Sequence, residues 1–272
     1  TQSSSAGYKM NKRLFIIIGL LFLWTCEEAE FIQDNSLDES NPDYVTPIVA
    51  FTSGPTAGQT IDASGVTFNW EGNELITEYR TKRNDEAWND WSGATTLVWQ
   101  YLDEGDHQIT LQGRYDSGDT SDVVSVSFIV DAVRGPALIF HPRAVTTAVG
   151  SSVTFQVMAE EVTNLTAAQF NINFDPSKLE ILAITQGSIF QINGESIFNA
   201  DYDNTAGSVS IVTAVLGGQP SVDGTGVLLK LELKVDAAGT NALEFDGTEL
   251  FRDPNNDDIT VNAIVNGLVV VE

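Results

Sequence analysis

Few residues in this chain have side chains suited to covalent or metal chemistry. Its 272 residues contain two histidines, His107 and His141, and a single cysteine, Cys26. A serine or cysteine nucleophile needs a base beside it, and that base needs a third group to orient it. A zinc site needs several converging His and Cys ligands. The two histidines stand apart in sequence and fall in different predicted domains, and Cys26 lies far from both. Carboxylates are abundant, and glycoside hydrolysis asks for only two of them in a cleft, but no motif nominates a pair. One run invites a metal reading. Asp253, Asn255 and Asp257 set oxygens at alternate positions, as an EF-hand calcium loop does at its start. The run then places Asp258 where that loop needs glycine and Ile264 where it needs a bidentate glutamate. A turn between two strands accounts for the same residues. The expectation is therefore no catalytic residue, no metal and no cofactor: a protein that binds rather than turns over.

Charge narrows what it could bind. The net charge is −25. Acids outnumber bases by 14 to 5 over residues 47–135 and by 17 to 5 over residues 136–272. Such a surface repels nucleic acid, whose phosphates require Lys and Arg. The hydrophobic content of 42% is ample for folded cores, and the length suits two domains.

Cys26 takes its meaning from what precedes it. Lys9, Lys12 and Arg13 lead into the apolar run Leu14 to Trp24, which has the length of a signal-peptide core and is short for a membrane-spanning helix. Met10 reads as the start of translation. Leu23-Trp24-Thr25-Cys26 resembles the lipobox of bacterial lipoproteins, with Trp24 and Thr25 bulkier than the usual small residues. That resemblance implies that residues 1–26 are an export region, that Cys26 carries lipid, and that the protein is held at the cell envelope, in the outer membrane or at the cell surface. Residues 27–46 follow with seven acids and no base. A segment so poor in apolar residues cannot build a core and reads as an extended tether.

The remaining sequence must supply the elements that position any binding surface, and its period is two throughout. In residues 47–133, Val66-Phe68-Trp70, Ile109-Leu111 and Val124-Val126-Phe128-Val130 alternate with polar residues between Gly-, Asp- and Asn-rich turns. An all-β sandwich follows. Trp88-x-x-Trp91, the Gly105-x-His107 strand and Arg114 make this segment similar to bacterial immunoglobulin-like or fibronectin-III-like spacers. Trp70, Trp88, Trp91 and Trp99 all fall here. Packing and edge covering account for them, and a sugar-binding platform is the alternative. Arg134-Gly135-Pro136 reads as a short hinge. In residues 137–272, Val153-Phe155-Val157, Phe170-Ile172-Phe174, Leu179-Ile181 and Leu229-Leu231-Leu233-Val235 again alternate, so one face of each strand is core and the other wet.

Three stretches of this second segment stand in a telling order: QFNINFDPSKLEI from Gln169, GTGVLLKLELKV from Gly224, and FRDPNNDDITVNAIVNGLVVVE from Phe251. A strand ending in aromatic-Asp-Pro, a later Gly-hydrophobic strand and a closing Gly-x-Val-x-Val strand together resemble the cohesin family. The resemblance implies a jelly-roll sandwich of nine strands that binds the dockerin module of a partner protein. It also implies that docking uses the sheet face carrying the aromatic-Asp-Pro strand. With Ala168, Phe170, Ile172 and Phe174 turned to the core, Gln169, Asn171 and Asn173 face out. The best-studied cohesin type has an Asn and an Asp at the positions of Ala167 and Gln169, which this chain lacks. Val209 to Leu216 is apolar on both faces, so Val212, Ala214 and Leu216 join the expected partner-binding set. The reading is a non-catalytic envelope scaffold that holds a dockerin-bearing protein, an enzyme of polysaccharide breakdown being one such partner. A carbohydrate-binding or adhesive surface protein is the alternative.

Overall fold

Alternating Val, Ile, Phe and Leu between turn residues can bury one face of a strand and wet the other, and the chain uses this solution throughout. In a computed structural model, which describes residue 1 and residues 35–191, 195–217 and 220–272, every regular element is a β-strand. No helix among the described residues is long and apolar enough to cross a membrane. Cys26, the apolar run before it and the first part of the acidic segment lie outside the described residues.

Thr1–Thr46 and Pro47–Glu272 are two compact units. In the first, residues 35–44, within the segment read as a tether, form a chain of turns. Asn35, Asp38 and Asn41 each accept a hydrogen bond from the backbone N–H two residues on, at 2.9–3.0 Å. Asn and Asp side chains favour turns over extended backbone in this way.

The second unit holds two sandwiches with separate cores. The N-terminal one has strands β1 (Val49–Ser53), β2 (Thr60–Ile61), β3 (Val66–Gly72), β4 (Glu78–Arg83), β5 (Thr96–Trp99), β6 (Gly105–Arg114) and β7 (Val124–Val130). They form sheets β1-β3-β5 and β2-β7-β6-β4. Phe68, Trp70, Ile109, Leu111, Phe128 and Val130 fill the space between.

The C-terminal sandwich has strands β8 (Ala137–His141), β9 (Ala144–Thr147), β10 (Ser152–Leu165), β11 (Ala167–Asn173), β12 (Leu179–Gln186), β13 (Ser196–Asp203), β14 (Ser208–Val215), β15 (Val222–Val235), β16 (Gly239–Phe245), β17 (Leu250–Arg252), β18 (Asp258–Ile259), β19 (Ala263–Val265) and β20 (Gly267–Val271). One sheet runs β12-β15-β10-β8-β19. The other runs β13-β14-β11-β16-β20-β9, with β17 and β18 joined at β11. The core is stitched by an aromatic chain from sheet to sheet. Phe155 meets Phe140 edge-on at 5.8 Å, Phe140 stacks on Phe245 at 4.8 Å, and Phe245 meets Phe170 edge-on at 5.8 Å. Leu229, Leu231, Leu233 and Val235 of β15 are all fully buried, as their alternation predicts.

The segment read as a hinge is a packed joint. Val133 is buried with Ala137 and Ile139, against Met158, Ala263 and Val265. The Gly135 N–H donates to Glu161 at 2.9 Å, and a Cβ on Gly135 would stand 2.3 Å from the Glu160 carbonyl oxygen. Glycine is required there for close approach rather than for bending. Arg143, almost wholly buried, crosses from the C-terminal sandwich to ion-pair with Glu104, while its backbone N–H donates to the Asp103 carboxylate at 2.6 Å. Both histidines also reach Asp103. His107 Nε2 lies 2.8 Å from its carbonyl oxygen, and His141 Nδ1 lies 3.7 Å from its carboxylate. Sequence distance had kept the two apart; the fold brings them to one residue, where His107 also stacks on Phe128 at 5.7 Å. Their neighbours are those of a structural joint.

Candidate docking face

The face is built around β11, and Asp175-Pro176 explains where that strand stops. Proline cannot donate to a ladder. The Asp175 carbonyl accepts from Lys178 and Leu179, and its Oδ1 accepts from the Ser177 N–H and hydroxyl. These Ser177 hydrogen bonds hold the Asp175 carboxyl below its ordinary range. The turn that returns the chain from β13 to β14 places Gly207 at φ +70°, its would-be Cβ 2.2 Å from the Phe174 carbonyl oxygen. Only glycine fits that approach.

Within β11 the alternation is realised. Ala168, Phe170 and Ile172 are buried, and Gln169 and Asn173 are exposed. In β14 the inward row is Val209, Ile211 and Thr213, so the buried side carries a threonine that the apolar pattern hid. Its hydroxyl donates to the Ile197 carbonyl at 3.2 Å. Val212 and Ala214 point outward, and Leu216 is exposed just past the strand end.

Register turns these positions into rows, since directly paired residues share a face. The first row is Ile197, Ala214, Ala167 and Arg252. The second is Asn199, Val212, Gln169 and Leu250. The third is Asp201, Ser210 and Asn171, and the fourth is Asp203, Ser208, Asn173 and Glu244. All six expected residues therefore lie on or at the end of one sheet face. Residues from β13, β16 and β17 complete it, and sequence reasoning passed over them. The Asn199, Asp201, Asp203 alternation was available as a signal for β13. Nothing local marked Leu250.

The face has two unlike ends. Ile197, Val212, Leu216 and Leu250 are 37–47% exposed, and they cluster in and beside the first two rows. The other end carries Asp201, Asp203, Glu244 and, in the turn after β16, Asp246. None of these four has an ion-pair partner among the described residues. Asp246 is held below the ordinary aspartate range, chiefly by the Thr248 hydroxyl and also by Asn171. Asn171 is thus not a free recognition group. Its Nδ2 donates to Asp246 at 2.9 Å and to Thr248 at 3.2 Å, tying β11 to the 246–248 turn.

Two other places had invited a ligand. In the 253–258 run the Asp253 carboxylate accepts the N–H groups of Asn255 and Asp257, both at 2.8 Å. Asp258 pairs with Arg252. The oxygens close the turn itself. On the N-terminal sandwich, Arg80 lies 4.5 Å from the ring centres of both Trp88 and Trp91. Arg114 lies 4.5 Å from Trp91, and Lys82 lies 5.6 Å from Trp88. Arg114 Nε in turn donates to Glu78 at 2.7 Å. These rings are half-buried members of a cation–π ladder. Trp70 is core, with its indole N–H on the Ala94 carbonyl.

Residues 140–271 match the family model of the cohesin domain, just under half of the chain. No curated protein matches the chain. Solved structures with similar folds include a non-cellulosomal cohesin from the archaeon Archaeoglobus fulgidus, 20% identical over 50% of this chain and 90% of that one, with a TM-score of 0.42. The third cohesin of ScaC from Acetivibrio cellulolyticus, in complex with the ScaB dockerin, is 22% identical over 47% of this chain and 94% of that one, with a TM-score of 0.42. A Coh-OlpA–Doc918 complex from Clostridium thermocellum is 17% identical over 50% of this chain and 98% of that one, with a TM-score of 0.45.

Proposed function

We propose that the cohesin-like domain at residues 140–271 docks a dockerin-bearing partner through the outer face of β13-β14-β11-β17, and that the chain is a non-catalytic scaffold of the cell envelope. The observation that carries this reading is the exposed cluster of Ile197, Val212, Leu216 and Leu250 on a flat sheet face of a domain matching the cohesin family. Solvent-facing aliphatics gathered in one place favour a protein partner, and an interface needs such a dry centre inside a polar rim. Asn173 and Asn199 supply that rim with neutral hydrogen-bonding groups, and Gln169, between Val212 and Leu250 in the second row, adds one inside it.

In this reading the N-terminal sandwich is an immunoglobulin-like spacer. Its order of a three-stranded sheet on a four-stranded one supports that assignment. The packed joint at Arg143 holds it against the docking domain. Cys26 carries the lipid anchor, and a polysaccharide-degrading enzyme is the class of partner for which such a scaffold serves. Val212→Asp tests the docking face. It should abolish binding of a recombinant dockerin to the full chain and leave folding intact, because the site is exposed in the free protein. Normal dockerin binding by this variant would overturn the face assignment. Cys26→Ala tests the anchor and should move the protein from the membrane fraction to the soluble one. An unchanged membrane fraction would refute it.

A further inference from the structure

Where the two sandwiches meet, an open groove of about 540 Å³ runs beside the Arg143–Glu104 ion pair. Its floor is the outer side of β8 and β10. There Met158 pairs with Ile139 and Gln156 with His141, and Glu160 continues the β10 row past Met158. Across the groove, the end of β7 contributes Ile129, which is 39% exposed. Small-molecule sites take roughly 300–1,000 Å³, favour the junctions between domains, and set a few polar groups among apolar walls. This groove has that composition. Its one anomaly is Glu160, a half-buried carboxylate with no ion pair among the described residues. Arg143, the cation whose field reaches it, is already paired with Glu104. Burial is the main cause that holds the Glu160 carboxyl above its ordinary range. The Thr225 hydroxyl opposes that shift, and the charges of Glu104 and Glu161 add to it.

We propose that this groove binds a primary alkylammonium, with its aliphatic chain between Met158 and Ile129 and its ammonium on Glu160. Three other ligand classes fail on the same residues. An anion would meet Glu104 and Glu160. A neutral molecule would strip water from Glu160 and give it no partner in return. A bare metal ion would need a converging set of His, Cys, Asp or Glu, and no group of three is so placed among the described residues. An alkylammonium satisfies both halves of the site, since its charge pairs with the lone carboxylate in a charge-assisted hydrogen bond and its chain covers the aliphatic wall. Ile129 belongs to one sandwich, Met158 and Glu160 to the other. A ligand held by all three stabilises the joined arrangement by mass action.

The test titrates the nitrogen-labelled full chain with hexylammonium and follows its backbone amide resonances. Saturable shifts should appear at Ile129, at residues 156–160 and at Thr225. Hexanoate should not bind, and hexanol, which has the same chain without the charge, should bind at least about tenfold more weakly. Methylammonium keeps the charge but lacks the chain, and should also lose at least about tenfold. Glu160→Gln preserves shape while removing the charge. It should weaken hexylammonium by about tenfold or more and leave the fold intact, because it relieves a buried carboxylate. Hexanoate or hexanol binding as tightly as hexylammonium, a Glu160→Gln chain within about twofold of the original, or shifts that miss these residues would each overturn the proposal. Failure of hexylammonium to bind the unaltered chain would overturn it too.

Discussion

The two sandwiches present outer sheet faces of opposite character. On the N-terminal one, the β4–β6 face is finished from within. Trp88 and Trp91 fold back over the sheet and stack with Arg80, Arg114 and Lys82, and Glu78 neutralises Arg114. Its aromatic surface is covered by the protein's own cations. On the C-terminal one, the face of β13-β14-β11 and the neighbouring β16 and β17 leaves four aliphatic side chains exposed, and four carboxylates there have no ion pair among the described residues. The lesson concerns how to read a surface. An aromatic cluster catches the eye in a sequence, but its faces are already occupied. The plainer Val, Leu and Ile positions are the ones left without a partner.

Substitutions can sharpen that contrast, beginning with the two sides of a single strand. Phe170→Ala on β11 removes a fully buried ring from the aromatic chain and should cost about 3–5 kcal/mol, read as a large fall in the urea midpoint of the C-terminal sandwich. Gln169→Ala, one residue away on the outer side, should stay within about 0.5 kcal/mol. Equal losses at the two positions would mean that the outer face is not an outer face.

A smaller effect is expected in the ladder. Trp91→Ala removes the ring shared by Arg80 and Arg114. It should lower the stability of the N-terminal sandwich by about 1–2 kcal/mol and leave dockerin affinity untouched. A loss of affinity with unchanged melting would instead make the ladder a binding surface and dissolve the comparison.

The smallest effect is electrostatic. Asp246 is held below its ordinary value of 3.8 by Thr248 and Asn171. A carboxylate with a depressed folded-state pKa contributes stability that is fully present above its unfolded-state value and is lost as pH falls through its folded-state value. The C-terminal sandwich should therefore weaken on acidification below pH 3.8, and Asn171→Ala should make that weakening shallower. An identical acid profile in the variant would show that the Asn171–Asp246 hydrogen bond contributes nothing.

Much of the fold was legible because a strand's side-chain period is two and burial follows it. Phe170 and Ile172 in β11, Leu229 to Val235 in β15 and Phe68 with Trp70 in β3 all read correctly from alternation alone. Three things did not. Thr213 shares the buried side of β14 with Val209, Ile211 and Val215, although the apolar pattern passed over it, because one internal hydrogen bond can replace an apolar contact. Asn171 looked like a free hydrogen-bonding group because its partners, Asp246 and Thr248, are some 75 residues away in sequence. The histidines looked unrelated because Asp103 lies on one sandwich and β8, which ends at His141, on the other.

Local pattern determined the all-β class, the inward rows, the turn at Asp175-Pro176 and the three ordered motifs of the cohesin-like half, since each depends on neighbours within a few residues. Tertiary structure alone decided which outward residues share a face. Strand pairing sets Asn199, Val212, Gln169 and Leu250 beside one another from four separate strands, and no local rule specifies pairing across such distances. The same long-range pairing gathers the carboxylates at one end of that face and seals the joint at Arg143. The physical reason is that burial and period are properties of a segment, whereas register and charge placement belong to the closed sandwich.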